Sequence, residues 1–215
     1  MTNEEEKALE EKFFLKDGFQ FPENLEYRID FDSLRAIYSF VRSFEPRKVL
    51  EIGTSHGGST LTILGALLAN ARPFDYVASE LLDDLRAEAE KNCRDKFGTA
   101  PTMIGDITKN LDKVPKRIDF LMHDSDHDLA TTQWVIDNIF PKLTKGALVI
   151  FHDWAVEEKG VDWVGKGNGG EGAWPETQLL IDMHKAGTLP LKKVYWNYHN
   201  TGNQETGVFT YHAIR

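Results

Sequence analysis

Between Lys48 and His152 short apolar runs alternate with segments of helical period, and this alternation constrains the fold more than any other feature of the chain. Residues 48–54 (KVLEIGT) form a compact strand ending in glycine, and 57–70 carries Leu61, Leu64 and Leu68 at helical spacing. Residues 76–80 read as a second strand. Its helix, 81–97, places Leu82, Leu85, Ala89, Cys93 and Phe97 on one stripe. Residues 101–106 and 118–123 are the third and fourth strands, 128–143 is a further amphipathic helix, and 146–152 (GALVIFH) is the fifth strand. The unbroken apolar run of that strand fits burial on both sheet faces. Such alternation predicts a parallel α/β sheet with right-handed crossovers.

The C-terminal third departs from the pattern. Six glycines between Ala155 and Ala173 are too many for a helix or a packed strand, so 155–173 is expected to be a lid-like loop. A helix follows, with Pro175 in its first turn and Gly187 at its end. Two strands, 191–198 and 207–214, close the chain. Only eight residues separate them, too few for a parallel crossover, so they should pair antiparallel. Ahead of the first strand, 1–45 is expected to be a helical cap, with helices at 3–15 and 30–44 that cover the sheet edge or a cofactor cleft. Residues 46–215 then make a single domain.

Composition narrows the partners. The net charge is −9, with 34 acidic against 25 basic side chains, and an acidic surface repels nucleic-acid phosphates. Cys93 is the single cysteine, so no internal disulfide can form, and a lone thiol suits a reducing compartment. Residues 1–12 are glutamate-rich and lack the basic start and apolar run of a signal peptide. No stretch approaches the roughly 18 apolar residues of a membrane helix. The expected setting is the cytoplasm, without membrane or nucleic acid as partner and with a homodimer as the expected assembly.

Two strand-end constellations carry chemistry. The first is the turn Glu51-Ile-Gly53-Thr-Ser-His-Gly57-Gly58-Ser59, where glycines at a strand end let a ligand approach the N–H groups of the next helix. Its spacing is not the Gly-x-Gly-x-x-Gly of dinucleotide sites, so a cofactor lacking pyrophosphate fits better. Glu80 ends the second strand, where an acid reaches ribose hydroxyls or caps the next helix. Asp106 ends the third, where it could accept a hydrogen bond from an adenine amine.

The second constellation is Met122-His123-Asp124-Ser125-Asp126-His127-Asp128 with Phe151-His152-Asp153-Trp154, at the ends of adjacent parallel strands. Acids and histidines gathered there suit a divalent cation held by hard oxygens and an imidazole, whereas Asp128 reads best as a helix cap. Trp154, Trp163 and Trp174 flank or lie in the glycine-rich loop, as an aromatic wall for an acceptor or as ordinary packing.

The segments VLEIGTSHGGST, IDFLMHDSDHD and GALVIFHDW resemble the motifs of class I S-adenosylmethionine (SAM)-dependent methyltransferases over about residues 48–154. Within the class the chain is most similar to small-molecule O-methyltransferases with an Asp-x-Asp-His fourth motif, such as those of macrolide-sugar and cephalosporin biosynthesis and, more distantly, catechol O-methyltransferases. The resemblance implies a Rossmann-like three-layer sandwich whose seven-stranded, mostly parallel sheet has an antiparallel last strand. It implies SAM as cofactor, with Glu51, Gly53 and Gly57 around its methionine end, Glu80 on its ribose, and Ser59, Asp106 and Asp124 completing the pocket. It further implies a small-molecule acceptor and a divalent cation on Asp124, His152 and Asp153. Magnesium is expected, with manganese, iron or zinc as alternatives because His152 stands where relatives carry an acid. Asp124 and His127 are the catalytic candidates, His127 as general base. An NAD-dependent oxidoreductase, a metal-dependent hydrolase and a non-catalytic cofactor-binding module remain as rival readings.

Overall fold

The strands follow the alternation of the sequence. The structure, a computed structural model, describes residues 3–22, 29–125, 128–152, 157–159, 162–164, 179–180, 182–183, 185–200 and 205–213. Strands β1 (Lys48–Ile52), β2 (Asp75–Ser79), β3 (Thr102–Ile104), β4 (Ile118–His123) and β5 (Leu143–His152) pair parallel in the order β3-β2-β1-β4-β5. A short antiparallel pair, β6 (Glu157–Lys159) with β7 (Asp162–Val164), lies within the glycine-rich stretch that the sequence predicts as loop. The main sheet continues through β9 (Glu205–Ala213) to β8 (Leu191–Asn200), and β9 runs antiparallel to both its neighbours. From β1 the chain builds outward through β2 and β3, then returns to place β4 on the other side, so the strand order reverses at β1 and β4. Crevices at such a reversal, over the carboxyl ends of the strands, are where open α/β sheets bind ligands.

Strand parity divides the core. Val49, Phe120, Met122, Leu148 and Ile150 join the cluster on one face, packed under α2 (Phe31–Phe44) and α3 (Gly58–Ala69). Leu50, Ile52, Leu121, Val149 and Phe151 join the cluster on the other face, with Val135 of α5 (Leu129–Asn138). Alternate residues of a strand point to opposite faces, so Glu51 and His152 belong with the α2–α3 face and His123 with the α5 face. The remaining helices are α1 (Asn3–Leu9), continued by a π-helical stretch over Glu10–Leu15, and α4 (Asp83–Phe97).

The N-terminal segment lies on a face of the sheet, not along its edge. Phe14 and the α2 residues Leu34, Ile37 and Val41 are buried in the same cluster as Val49 of β1 and Ile150 of β5. Tyr38 and Arg42 of α2 donate to Asp17, which ties the segment before α2 onto that helix. The helix predicted over 128–143 stops at Asn138, because Pro141 cannot donate within a helix. A 3-10 turn, Phe140–Lys142, takes its place and β5 starts early, at Leu143. The Pro175 end of the last predicted helix and most of the predicted lid lie outside the described residues. Among the described residues, no helix is long and apolar enough to cross a membrane.

Candidate active site

Four strand ends converge on one cavity of about 360 Å³. Ile52, Gly53 and Ser55 reach it from β1, Ser79 and Glu80 from β2, Asp106 to Thr108 from beyond β3, and Asp124 and Ser125 from β4. Leu81, Leu82, Leu85 and Ile107 supply apolar surface. Leu81 and Leu82 are 62% and 58% exposed, so at the mouth of this cavity they offer a ligand a ready hydrophobic wall.

Gly53 is required by backbone geometry before any ligand is considered. Its φ is +86°, and a Cβ there would lie 1.9 Å from the carbonyl oxygen of Asp124. The two strand ends are stitched this closely because the Asp124 N–H donates to the Ile52 carbonyl at 2.8 Å, extending the β1–β4 ladder by one residue. Gly57, by contrast, does not line the cavity. A Cβ at its φ of +93° would meet Ala89 of α4 at 3.0 Å, so this glycine serves helix packing.

Glu51 and Ser59 do not line the cavity either. Parity turns Glu51 into the α3 face, where it is fully buried. Ser59 Oγ donates to its Oε1 at 2.5 Å, and Thr60 Oγ1 and Tyr76 OH donate to its Oε2 at 2.8 and 2.5 Å. Burial pushes the Glu51 carboxyl up to about 7 even though these three hydroxyls oppose the shift, with the charge of Asp124 adding to it. Glu51 and Ser59, both expected to bind cofactor, thus belong to a buried network behind the glycine turn. Burial also pushes the neighbouring Cys93 thiol up to about 12, with the charge of Glu51 adding, which leaves it an inert core residue.

Glu80 does line the cavity, but its carboxylate is already engaged. Oε2 accepts from the Thr54 and Ser55 N–H groups at 3.1 and 2.8 Å, and Oε1 accepts from the Leu82 N–H at 3.0 Å. It therefore clamps the glycine turn to the start of α4 while facing the ligand space. Alanine at Glu80 is expected to lower stability as well as ligand affinity, because three N–H groups lose their acceptor. Leaving such donors unpaired costs roughly 1–3 kcal/mol each where water cannot replace the partner. Urea denaturation without ligand checks this, and an unchanged midpoint would remove the clamp.

Asp106 caps the turn after β3, accepting from the N–H and Oγ1 of Thr108 at 2.9 and 2.6 Å, with Lys109 Nζ at 2.9 Å. Bonds from Thr108 and Lys109 hold its carboxyl below the usual range. Asp128 caps α5 by accepting from the Ala130 and Thr131 N–H groups.

Of the expected cation ligands, Asp124 and His152 meet and the third is outside view. Asp124 Oδ1 lies 3.3 Å from His152 Nδ1, and the imidazole is fully buried. Asp153 and His127 lie outside the described residues. His123 turns away into the α5 face, 2% exposed, with its ring 5.6 Å from that of Phe151. On its other side His152 meets a residue not expected here: Nε2 is 4.0 Å from Oδ2 of Asp30, at the start of α2. Burial raises the Asp30 carboxyl, but the neighbouring His152 imidazole and the bonds from Ser33 outweigh it and hold the group well below the usual carboxylate range. Among the described residues no group of three or more His, Cys, Asp or Glu side chains is placed to hold a metal ion.

With fold and cavity in place, the chain can be set beside known proteins. A family model described as a methyltransferase domain matches residues 50–154, a stretch that contains every described residue lining the cavity. No curated protein matches the chain in sequence. Among solved structures, a Klebsiella pneumoniae protein provisionally assigned as an O-methyltransferase superposes with a TM-score of 0.69 at 15% identity, covering 97% of each chain. The O-methyltransferase of Bacillus cereus, solved with SAH, gives 0.62 at 13% identity over 99% of this chain and 92% of that one. TomG of Streptomyces achromogenes, an O-methyltransferase involved in tomaymycin synthesis and solved with SAM, gives 0.61 at 15% identity over 100% and 92%. At these identities the likeness is one of fold.

Proposed function

We propose that this protein is a SAM-dependent methyltransferase that transfers the sulfonium methyl to a hydroxyl oxygen of a small molecule. The observation that carries the reading is the charge of the cavity at the glycine turn. Its lining, among the described residues, holds the carboxylates Glu80, Asp106 and Asp124 and no lysine, arginine or histidine. A sulfonium is a cation without phosphates and suits such a lining, whereas the pyrophosphate of a dinucleotide would meet like charge. The apolar wall of Leu81, Leu82, Leu85 and Ile107 suits a flat adenine ring, and Glu80 is placed to accept from ribose hydroxyls. The SAM-bound and SAH-bound neighbours support the same cofactor.

SAM, when bound, supplies the electrophilic methyl. The chain must hold the acceptor oxygen in line with it, an alignment worth up to ~7–11 kcal/mol in well-oriented cases, and must receive the hydroxyl proton. We assign the proton to His127, which follows Asp124-Ser125-Asp126 in the sequence, because an imidazole titrates near neutrality. The described residues do not make a cation site by themselves, since both ring nitrogens of His152 face carboxylates. No step is therefore routed through a metal.

Calorimetry with SAM, SAH and NAD, followed by transfer of labelled methyl from SAM to a panel of small phenols, catechols and sugars, tests the reading. The expected result is binding of both adenosyl ligands, no binding of NAD, and label on a hydroxyl. Tight NAD binding without response to SAM, or ester hydrolysis with no methyl donor present, would sink it. Chelation followed by add-back decides the cation: activity restored by magnesium or manganese returns Asp124 and Asp153 to the ligand role.

A further inference from the structure

We infer that Asp30 is a positioning residue of the active site, reaching in from the N-terminal segment to hold the buried imidazole of His152 against Asp124. The inference rests on the methyl-transfer reading above and adds a residue outside the stretch that matches the methyltransferase domain, which begins at residue 50.

Parity supplies the first part of the case. His152 follows Leu148 and Ile150 on the face of β5 that α2 covers, so its ring enters the space between the sheet and the N-terminus of that helix. There both ring nitrogens face carboxylates, Nδ1 toward Asp124 at 3.3 Å and Nε2 toward Asp30 at 4.0 Å. Asp124 lines the cofactor cavity, so the orientation of His152 is coupled to a residue at the reacting end of the site.

Capping accounts for only part of what Asp30 does. One oxygen, Oδ1, accepts from the Ser33 N–H at 2.8 Å, and that bond is the helix cap. The other, Oδ2, accepts from Ser33 Oγ at 2.6 Å and is the atom nearest His152. The Ser33 hydroxyl orients the carboxylate so that the oxygen not needed for the cap is aimed at the imidazole. A buried imidazole flanked by a carboxylate beyond each ring nitrogen, at ion-pair and not hydrogen-bond geometry, is steered by both charges, and Asp30 thereby biases the position of Asp124 beside the ligand space.

The two duties of Asp30 can be separated. Asparagine and serine are helix caps about as good as aspartate, so Asp30→Asn and Asp30→Ser retain α2 while removing the carboxylate oxygen that faces His152. The experiment uses the full chain labelled in its histidine rings, with His152→Gln to assign the ring signals. Methyl transfer is measured on whichever acceptor of the panel is turned over. In Asp30→Asn and Asp30→Ser the melting temperature is expected to change by only a few degrees and SAM affinity by less than threefold. The His152 ring signals are expected to move, and kcat to fall at least tenfold with a smaller change in acceptor KM. Asp30→Glu is expected to recover part of the kcat.

Ring signals that stay in place in both cap-preserving variants overturn the inference, as do moved signals with kcat unchanged. Wild-type protein that binds no SAM and methylates nothing overturns the methyl-transfer reading instead. In that case moved ring signals still support the Asp30–His152 hold, and unmoved ones still overturn it.

Discussion

Valine at Gly53 is expected to unfold much of the protein at temperatures the wild type tolerates, and not merely to block a ligand. The Cβ would stand 1.9 Å from the Asp124 carbonyl oxygen and 2.6 Å from its carbonyl carbon, and those are backbone atoms that cannot rotate away. The residue also sits at φ +86°, where a β-branched side chain is strained. Overpacking costs about 1–3 kcal/mol and the backbone strain about 1–2 more, and in a chain of this size each kcal/mol moves Tm by about 2–4 °C. A fall of roughly 10 °C in Tm without ligand is therefore expected, together with loss of SAM binding. Calorimetric unfolding of the ligand-free variant is the measurement. An unchanged Tm with binding lost would mean that the glycine serves only the approach of the cofactor.

How much of this was legible beforehand follows from what each signal encodes. The alternation of apolar runs and helical stripes encodes sheet order well, because each strand must bury both faces and each helix one stripe. It places β1, β2, β4 and β5 within a few residues of where they stand. The strand ends were legible as a group too: Gly53, Glu80, Asp106 and Asp124 all line the one cavity. Within the group, roles were assigned by position along the chain when the deciding variable was strand parity. Val49 and Glu51 share a face, as do Leu148, Ile150 and His152, and that face lies under α2 and α3. Parity alone would have turned Glu51 toward Ser59 and Thr60 and His152 toward the N-terminal helix. Asp30 was legible only as the first residue of a helical stripe over 30–44, and its place as the cap of α2 comes from the structure. Its second duty was not legible, because the packing of α2 on the sheet is a long-range fact that local pattern does not hold. Gly57 misleads for a similar reason: a glycine needed for contact with Ala89 has the same local sequence as one needed for a ligand.

The buried network under the glycine turn yields the second large effect, and its sign follows from the direction of the shift. The Glu51 carboxyl, 4.5 by ordinary value, is raised by burial to about 7 in the folded chain. Below pH 4.5 it is protonated folded and unfolded alike, and its burial carries no ionisation cost. As pH rises from there toward 7, the unfolded chain releases the proton while the folded chain keeps it, so the unfolded state is favoured. Stability then falls by about 1.4 kcal/mol per pH unit, or about 3 kcal/mol in all, and levels off once the folded group also ionises. Glu51→Gln keeps the shape: its amide oxygen can accept from the Thr60 and Tyr76 hydroxyls while its N–H donates to Ser59 Oγ, and it has no proton to lose. Urea denaturation of both proteins at intervals from pH 5 to 8 should show the wild type losing roughly 2–3 kcal/mol relative to the variant across that window. The variant should gain relative stability toward neutral pH. Parallel curves would mean that Glu51 is already ionised at pH 5, held by the three hydroxyls strongly enough to outweigh its burial.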